Sequence, residues 1–396
     1  MSLTKLISLP FRYKIWNPHH IKLIASDLIK PNQVIHDHKI HLNAAINWLC
    51  KAQDIRSDMP DSGGVSAGWS FEDNWLPSYP ETSGYIVETF VAAAKLLDQP
   101  KLLDRANKIL DWELSIQNQD GSFPGHFGEA SSKPVIFNTG QIMHGMNCGY
   151  QELKRNECLE SAIKAGKWLI TQQDKDGCWR RSTHNGIIHT YNTRAAWALL
   201  QTGLLANDQS LINAATQNID WALSQQLDNG WFENNAFTTD AEPFTHTIAY
   251  AIRGILECGL LLNNKHYIQA AEKAAKALAN AQRTDGSIAG TYDKVWQSKA
   301  YYVCLTGLAQ TSIIWSQLDQ ANNNTAFQAH IDSALNYLKQ KQQITNNASI
   351  NDGAIAGSFP IWGRYSMFEY PNWAAKFFAD ALIADATRKQ TSIQKN

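Results

Sequence analysis

The sequence predicts an all-α protein of six helical hairpins closed into a ring, with an inner and an outer ring of helices. Two repeating markers and an absence predict it. An aromatic residue followed five places later by Gln recurs at Trp48/Gln53, Trp112/Gln117, Trp168/Gln173, Trp221/Gln226 and Tyr337/Gln342, and Ala277/Gln282 lacks only the aromatic. These Gln residues stand 53–64 positions apart, a period that marks stacked supersecondary units. Between them, Thr signals open apolar runs: Glu81-Thr82, Asn138-Thr139, Asn192-Thr193, His246-Thr247 and Leu305-Thr306, with Asn372-Trp373 in the sixth place. No alternating strand pattern of note interrupts the series.

Each element follows from its local pattern. From each marker Thr to the next repeat Gln is 33–36 residues, which fits two helices of about fifteen residues and a short link. The stretches from each Gln to the next marker vary in length and are expected to be loops. Leu211 to Gln226 spaces its apolar residues three and four apart, the mark of an amphipathic outer helix. Ala195 to Leu205 is apolar nearly all round, so it is expected to be buried on every face, as an inner helix. The first outer helix is expected from about His41 to Gln53 and the last inner helix from about Asn372 to Ala386, so these two must seal the ring. Residues 1–40 read as an arm along the ring's outside, 41–388 as the ring and 389–396 as a frayed polar tail.

Composition removes several classes. Of the 396 residues 18% are charged, and 35 Lys+Arg against 36 Asp+Glu give a net charge of -1, which argues against a nucleic-acid partner. No run of eighteen apolar residues exists, so no membrane span is expected. Met1 to Trp16 has no continuous apolar core and no small-residue cleavage site, so no signal peptide is read there. The six Cys are scattered without a CxxC pair and are expected to be reduced thiols, as in a cytoplasmic protein.

Gln173, Asp176, Gly177 and Trp179 together resemble the QW-type repeat of terpenoid cyclases and protein prenyltransferase β subunits. The resemblance spans roughly residues 41–388. It implies an (α/α)6 toroid, a fold that also carries polysaccharide lyases, glycoside hydrolases and sugar epimerases, so it specifies the fold and not the reaction. Bacterial toroids tied to surface-polysaccharide genes are a further resemblance.

In such a ring the inner helices point their N-termini at one mouth, where the variable loops gather, which suits a hydroxyl-rich or anionic ligand. Asn138, Asn192 and Asn372 are candidate caps there, whereas Glu81 and His246 are poor caps and read as functional. The third loop carries Arg180, Arg181, His184, His189 and Arg194 without an acid, and the fourth carries Asp228, Glu233, Asp240 and Glu242. A basic wall is therefore expected to face an acidic one, beside Trp179, Tyr191, Trp231 and Phe232. The longest loops, residues 54–79 and 343–371, are expected to form a rim or lid.

Flat aromatic faces with Asn, His and a few charges suit a saccharide cleft. The favoured reaction is β-elimination or C5-epimerisation of a uronic acid, which needs a base and a neutraliser for the carboxylate. The expected catalytic residues are His246, Tyr191, Asn192, His189 and Glu81. The expected substrate-binding residues are Arg194, Asn138, Tyr250, Trp231, Glu233, Trp179, Asn372 and Tyr79. Alternatives are a glycoside hydrolase pairing Glu81 with Glu233, Asp240 or Glu242, an isoprenoid cyclase or prenyltransferase, and a glycan-binding toroid without catalysis. The chain contains no Asp-Asp pair, which counts against the cyclase acid motifs. No metal and no cofactor are expected: Asp176-Gly177-Cys178 sits in a repeat turn, and His36, His38 and His41 read as a surface cluster. Gly64-Val65-Ser66-Ala67-Gly68 matches a nucleophile elbow but lacks the strand-to-helix context.

Overall fold

The computed structural model describes residues 9–29, 32–129, 131–345 and 349–395, with side chains to 389. After a first helix, α1 (Pro18–Ile29), the chain alternates outer and inner helices. The outer ones are α2 (His38–Asp54), α4 (Lys101–Ile116), α6 (Asn156–Gln172), α8 (Gln209–Ser224), α10 (Lys265–Asn280) and α12 (Gln328–Lys341). The inner ones are α3 (Pro80–Leu97), α5 (Ile136–Leu153), α7 (Thr193–Ala206), α9 (Thr245–Leu261), α11 (Leu305–Ala321) and α13 (Asn372–Lys395). Each inner helix packs on the next, and α13 packs on both α2 and α3, which closes the ring. No described helix is long and apolar enough to cross a membrane.

The inner ring is tight because small residues let backbones meet. A Cβ on Gly84 of α3 would lie 2.5 Å from Ile142 Cα of α5, and one on Gly145 would lie 2.4 Å from Gly84 O. Gly84→Ala should therefore lower stability by about 1–3 kcal/mol, the usual cost of overpacking. A thermal midpoint equal to the parent's would show that the two helices can part cheaply.

The repeat Gln residues have one common structural role. The side-chain amide donates to the carbonyl of its own repeat's Gly turn and to a carbonyl of the next outer helix. Gln117 reaches Gly121 O (2.9 Å) and Ser161 O (3.0 Å); Gln173 reaches Gly177 O (3.0 Å) and Ala214 O (2.9 Å). Gln53, Gln226 and Gln282 repeat the pattern onto Arg105 O, Ala270 O and His330 O. The sixth, Gln342, reaches back to His41 O of the first outer helix at 3.2 Å. Satisfying two backbone acceptors per repeat is what this position requires of Gln.

Four readings need correction here. The His36–His41 cluster is only partly on the surface: His36 is exposed, but His38 is half-buried and bonds Asp385, and His41 is fully buried and bonds Gln342 in the ring's seam. The C-terminal tail is helical to Lys395, because Arg388 is buried and pairs with Asp385. Neither the Asn138 nor the Asn192 side chain caps its helix: α5 begins two residues before Asn138, and Asn192 makes no cap bond. The arm does not run along the outer ring only. It crosses the first and sixth loops, with His20 against Phe71 (4.2 Å between centroids), Tyr13 against Phe368 (4.7 Å) and Asp27 accepting from Ile361 N (2.8 Å). The part of the N-terminal reading that rests on residues 1–8 lies outside the described residues.

The first and sixth loops are joined by a small sheet. Its strands β1 (Gly68–Ser70), β2 (Asn74–Trp75) and β5 (Glu369–Pro371) pair in the order β2–β1–β5, with Trp69 opposite Tyr370. Strands β3 (Val303–Cys304) and β4 (Ser358–Phe359) pair beside them. The loop residues next to β4 and β5 are thereby held over the mouth.

Candidate active site

The N-termini of the inner helices open on a cavity of about 380 Å³. Two helices each present a pair of side chains four residues apart, hence on one face: Glu81 with Tyr85 on α3, and His246 with Tyr250 on α9. Phe137 and Asn138 come from α5, Tyr191 from the turn before α7, and Trp373 from α13. Tyr79, His184, Phe237, Phe244, Arg364, Tyr365 and Ser366 come from the loops. Glu81 is the single carboxyl group in this lining.

Hydrogen bonds fix the polar groups. Tyr79 donates its hydroxyl to Glu81 Oε2 at 2.9 Å and is itself bonded by Asn138. Tyr85 and Tyr250 bond each other through their hydroxyls. Gln310 Nε2 donates to His246 Nδ1 at 2.7 Å, which leaves the ring proton on Nε2. Trp373 Nε1 donates to the Tyr365 hydroxyl at 2.9 Å. His246 also packs on Tyr250 and Tyr365, with centroids 4.2 and 5.0 Å apart.

The enclosure sets the protonation states. Glu81 is raised to about 7 by burial, with the Tyr79 hydrogen bond and the Arg194 charge pulling it down. His246 falls to about 3, from burial and then Arg194, so the ring is neutral. Burial pushes the Tyr250 hydroxyl up, and Arg194 opposes this. The Arg194 guanidinium lies beneath the cavity wall, 5.2 Å from the Tyr250 ring and 4.9 Å from the Trp197 ring, with Nε donating to Gln141 Oε1 at 3.1 Å. A cation held on aromatic faces tunes its neighbours without touching the cavity.

Of the thirteen positions expected from sequence, the cavity gathers six: Glu81, His246, Tyr191, Asn138, Tyr250 and Tyr79. The rest lie elsewhere, for physical reasons. Arg194 is only 1% exposed: although it stands in the first turn of α7, its guanidinium turns under the cavity wall onto the Trp197 and Tyr250 rings. His189 is held by the carbonyls of Ala236 (3.1 Å) and His184 (2.7 Å) and stacks behind Tyr191 at 4.3 Å. Asn192 is buried at the start of α7. Asn372 donates to Ser66 O and Thr82 Oγ1, tying α13 to the first loop and α3. Trp179 is core, its indole N–H donating to Leu169 O, and Trp231 packs on Trp296. Glu233 is exposed, outside this lining. The expected basic wall is also absent: Arg180 is spent on Asp174 and Asp176 of its own turn.

Tyr85, Phe137, Phe237, Phe244 and Trp373 line the cavity without having been singled out for it. Tyr85 was within reach, since it stands to Glu81 as Tyr250 stands to His246. Phe237 and Phe244 were not, because loop placement carries no periodicity. Among the described residues no group of three His, Cys, Asp or Glu side chains is placed to hold a metal.

Comparison with known proteins agrees on the architecture. Residues 77–256 match the squalene-hopene cyclase C-terminal domain. A squalene–hopene cyclase of Zymomonas mobilis is 24% identical over 270 residues, covering 61% of this chain and 39% of that protein, so the chain spans about two fifths of this relative's length. An unsaturated glucuronyl hydrolase specific for heparin superposes with a TM-score of 0.70 at 14% identity, covering 89% of this chain and 98% of that one. A cellobiose 2-epimerase from Bacillus thermoamylovorans gives 0.68 at 14% identity, covering 86% and 96%. The fold is the α/α toroid. The toroid's mouth is where the cavity opens, and its inner helices supply Glu81, Tyr85, Asn138, His246 and Tyr250 to the lining. At such identities the superpositions speak for the fold and leave the chemistry to the residues.

Proposed function

We propose that this toroid is a carbohydrate-active enzyme that binds a uronic-acid-containing saccharide and moves the proton beside its carboxylate, by β-elimination or C5-epimerisation. One observation carries the reading: a single carboxyl group poised near neutrality beside neutral Asn and His donors, inside walls of aromatic faces. Glu81 ionised takes the C5 proton, its pKa near 7 matching it to that task. His246 Nε2–H and Asn138 donate to the uronate carboxylate, where negative charge builds as the proton leaves. Tyr250 delivers a proton, to the departing glycosidic oxygen in elimination or to the opposite face of C5 in epimerisation. The toroids of similar shape that act on glucuronyl units or epimerise a disaccharide support a saccharide in this mouth.

Hydrolysis by paired carboxylates is supported less well, since neither Glu233, Asp240 nor Glu242 lines the cavity with Glu81. The cyclase reading keeps one observation in its favour, the match over residues 77–256 joined to aromatic walls and a protonatable Glu81. A panel of uronic-acid polysaccharides in heavy water separates these. An unsaturated chromophore indicates elimination, deuterium at C5 without cleavage indicates epimerisation, and new reducing ends alone would replace both with hydrolysis. Binding without turnover would leave a glycan-binding toroid, and turnover of an isoprenoid alone would overturn the saccharide reading.

A further inference from the structure

A second cavity, of about 580 Å³, adjoins the mouth cavity, and Phe244 and Arg364 line both. Asp240 and Glu242 flank it on one side, Lys299, Tyr301 and Tyr302 on the other. Its features suit a sugar ring. Tyr301 is 61% exposed and offers a flat apolar face. Glu242 is held in place by Thr291, whose hydroxyl donates to Oε2 at 2.9 Å, so its other oxygen is a fixed acceptor. Tyr302 is only 2% exposed, and its hydroxyl has no hydrogen-bond partner among the described residues. A buried hydroxyl left unpaired costs free energy that a ligand hydroxyl would recover.

We infer that this cavity is a second saccharide subsite, so that the substrate is a chain of several sugars with the reacting uronate in the mouth cavity and its neighbour beyond Arg364. The inference rests on the saccharide reading of the mouth. Arg364, exposed at the junction, meets the uronate carboxylate from the mouth side. The ring beyond it stacks on Tyr301 and exchanges hydrogen bonds with Tyr302, Asp240 and Glu242. Asp240 and Glu242 can accept from the hydroxyls of that ring and Lys299 can donate to them.

The test uses whichever uronate polymer turns over in the heavy-water panel, cut to chains of two, four and six sugars. From two to four sugars kcat/KM should rise by about tenfold or more. Tyr302→Phe, which removes one hydroxyl and keeps the ring, should reduce the four-to-two ratio by about three- to tenfold, the size of one hydrogen bond. Equal kcat/KM for all three lengths would overturn the subsite and leave the mouth reading standing. A length effect that Tyr302→Phe does not touch would overturn its placement here. Failure of the full-length chain to bind or turn over any uronate saccharide would overturn the mouth reading and the subsite together.

Discussion

Glu81→Gln should lower turnover by about 10²–10⁴-fold, the usual loss of a positioned proton carrier, and should at the same time raise stability at pH 8. The two effects share one cause. Burial in the mouth raises Glu81 from its ordinary 4.5 to about 7. The folded protein therefore holds this proton where the unfolded chain has released it. The stability this group gives is complete below about 4.5 and is lost as pH rises through about 7. Above pH 7 the buried carboxylate costs up to about 3 kcal/mol, at 1.36 kcal/mol per pKa unit. Gln cannot ionise, so its stability advantage should grow between pH 4.5 and 7 and then level off. Turnover of the parent, which needs the ionised base, should rise with pH about a midpoint near 7. Tyr79→Phe should move that midpoint up, because the Tyr79 hydrogen bond holds Glu81 down. Thermal melts and pH–rate profiles check both halves. Full activity in Glu81→Gln removes the base, and a stability difference that ignores pH removes the burial argument.

How far the sequence reached depends on what each residue answers to. The ring was legible because its repeat Gln answers to backbone acceptors that recur in every hairpin, so Gln173 and Gln226 could be matched without knowing their partners. Inner-helix residues at the mouth, Glu81 and His246 among them, were legible because helix period and direction fix where a first-turn side chain points. Arg194 shows the limit of that rule: it too stands in the first turn of its helix, yet its guanidinium lies under the wall on aromatic faces and not in the cavity. Trp179 and Trp231 were misplaced because a loop aromatic reads the same whether it meets a ligand or the core. The seam between α13 and α2 was legible from chain order, but the Gln342–His41 bond across it was not, since His41 lies outside the repeat motif to which Gln342 belongs.

That seam makes the second large prediction, for Gln342→Ala. The ring is a closed structure made by an open chain, so one of its six joints has no covalent link across it. At the other joints the repeat Gln spans about the same gap with the chain running through it: Gln226 reaches Ala270 O, 44 positions away. Gln342 reaches His41, 301 positions away. It also accepts from His41 Nδ1 at 2.6 Å and donates to Gly353 O at 2.8 Å, while His36 N donates to His41 Nε2 at 3.0 Å. His41 is thus a neutral, fully bonded ring, and burial holds it to about 4. Gln342→Ala strands the His41 Nδ1–H, leaves the Gly353 carbonyl without this donor and takes a second bond from the His41 carbonyl inside α2, which should cost about 2–4 kcal/mol. The contribution of distance follows from loop closure: holding ends 301 apart costs about 2 kcal/mol more than holding ends 44 apart. Gln342 makes three bonds where Gln226 makes two, so Gln342→Ala should lose more stability than Gln226→Ala, and because an open seam releases the longer loop, hydrogen exchange should show α2 and α13 opening first. Equal losses at the two positions, with no early exchange in α2, would mean that packing of α13 on α2 closes the ring without the Gln342–His41 link.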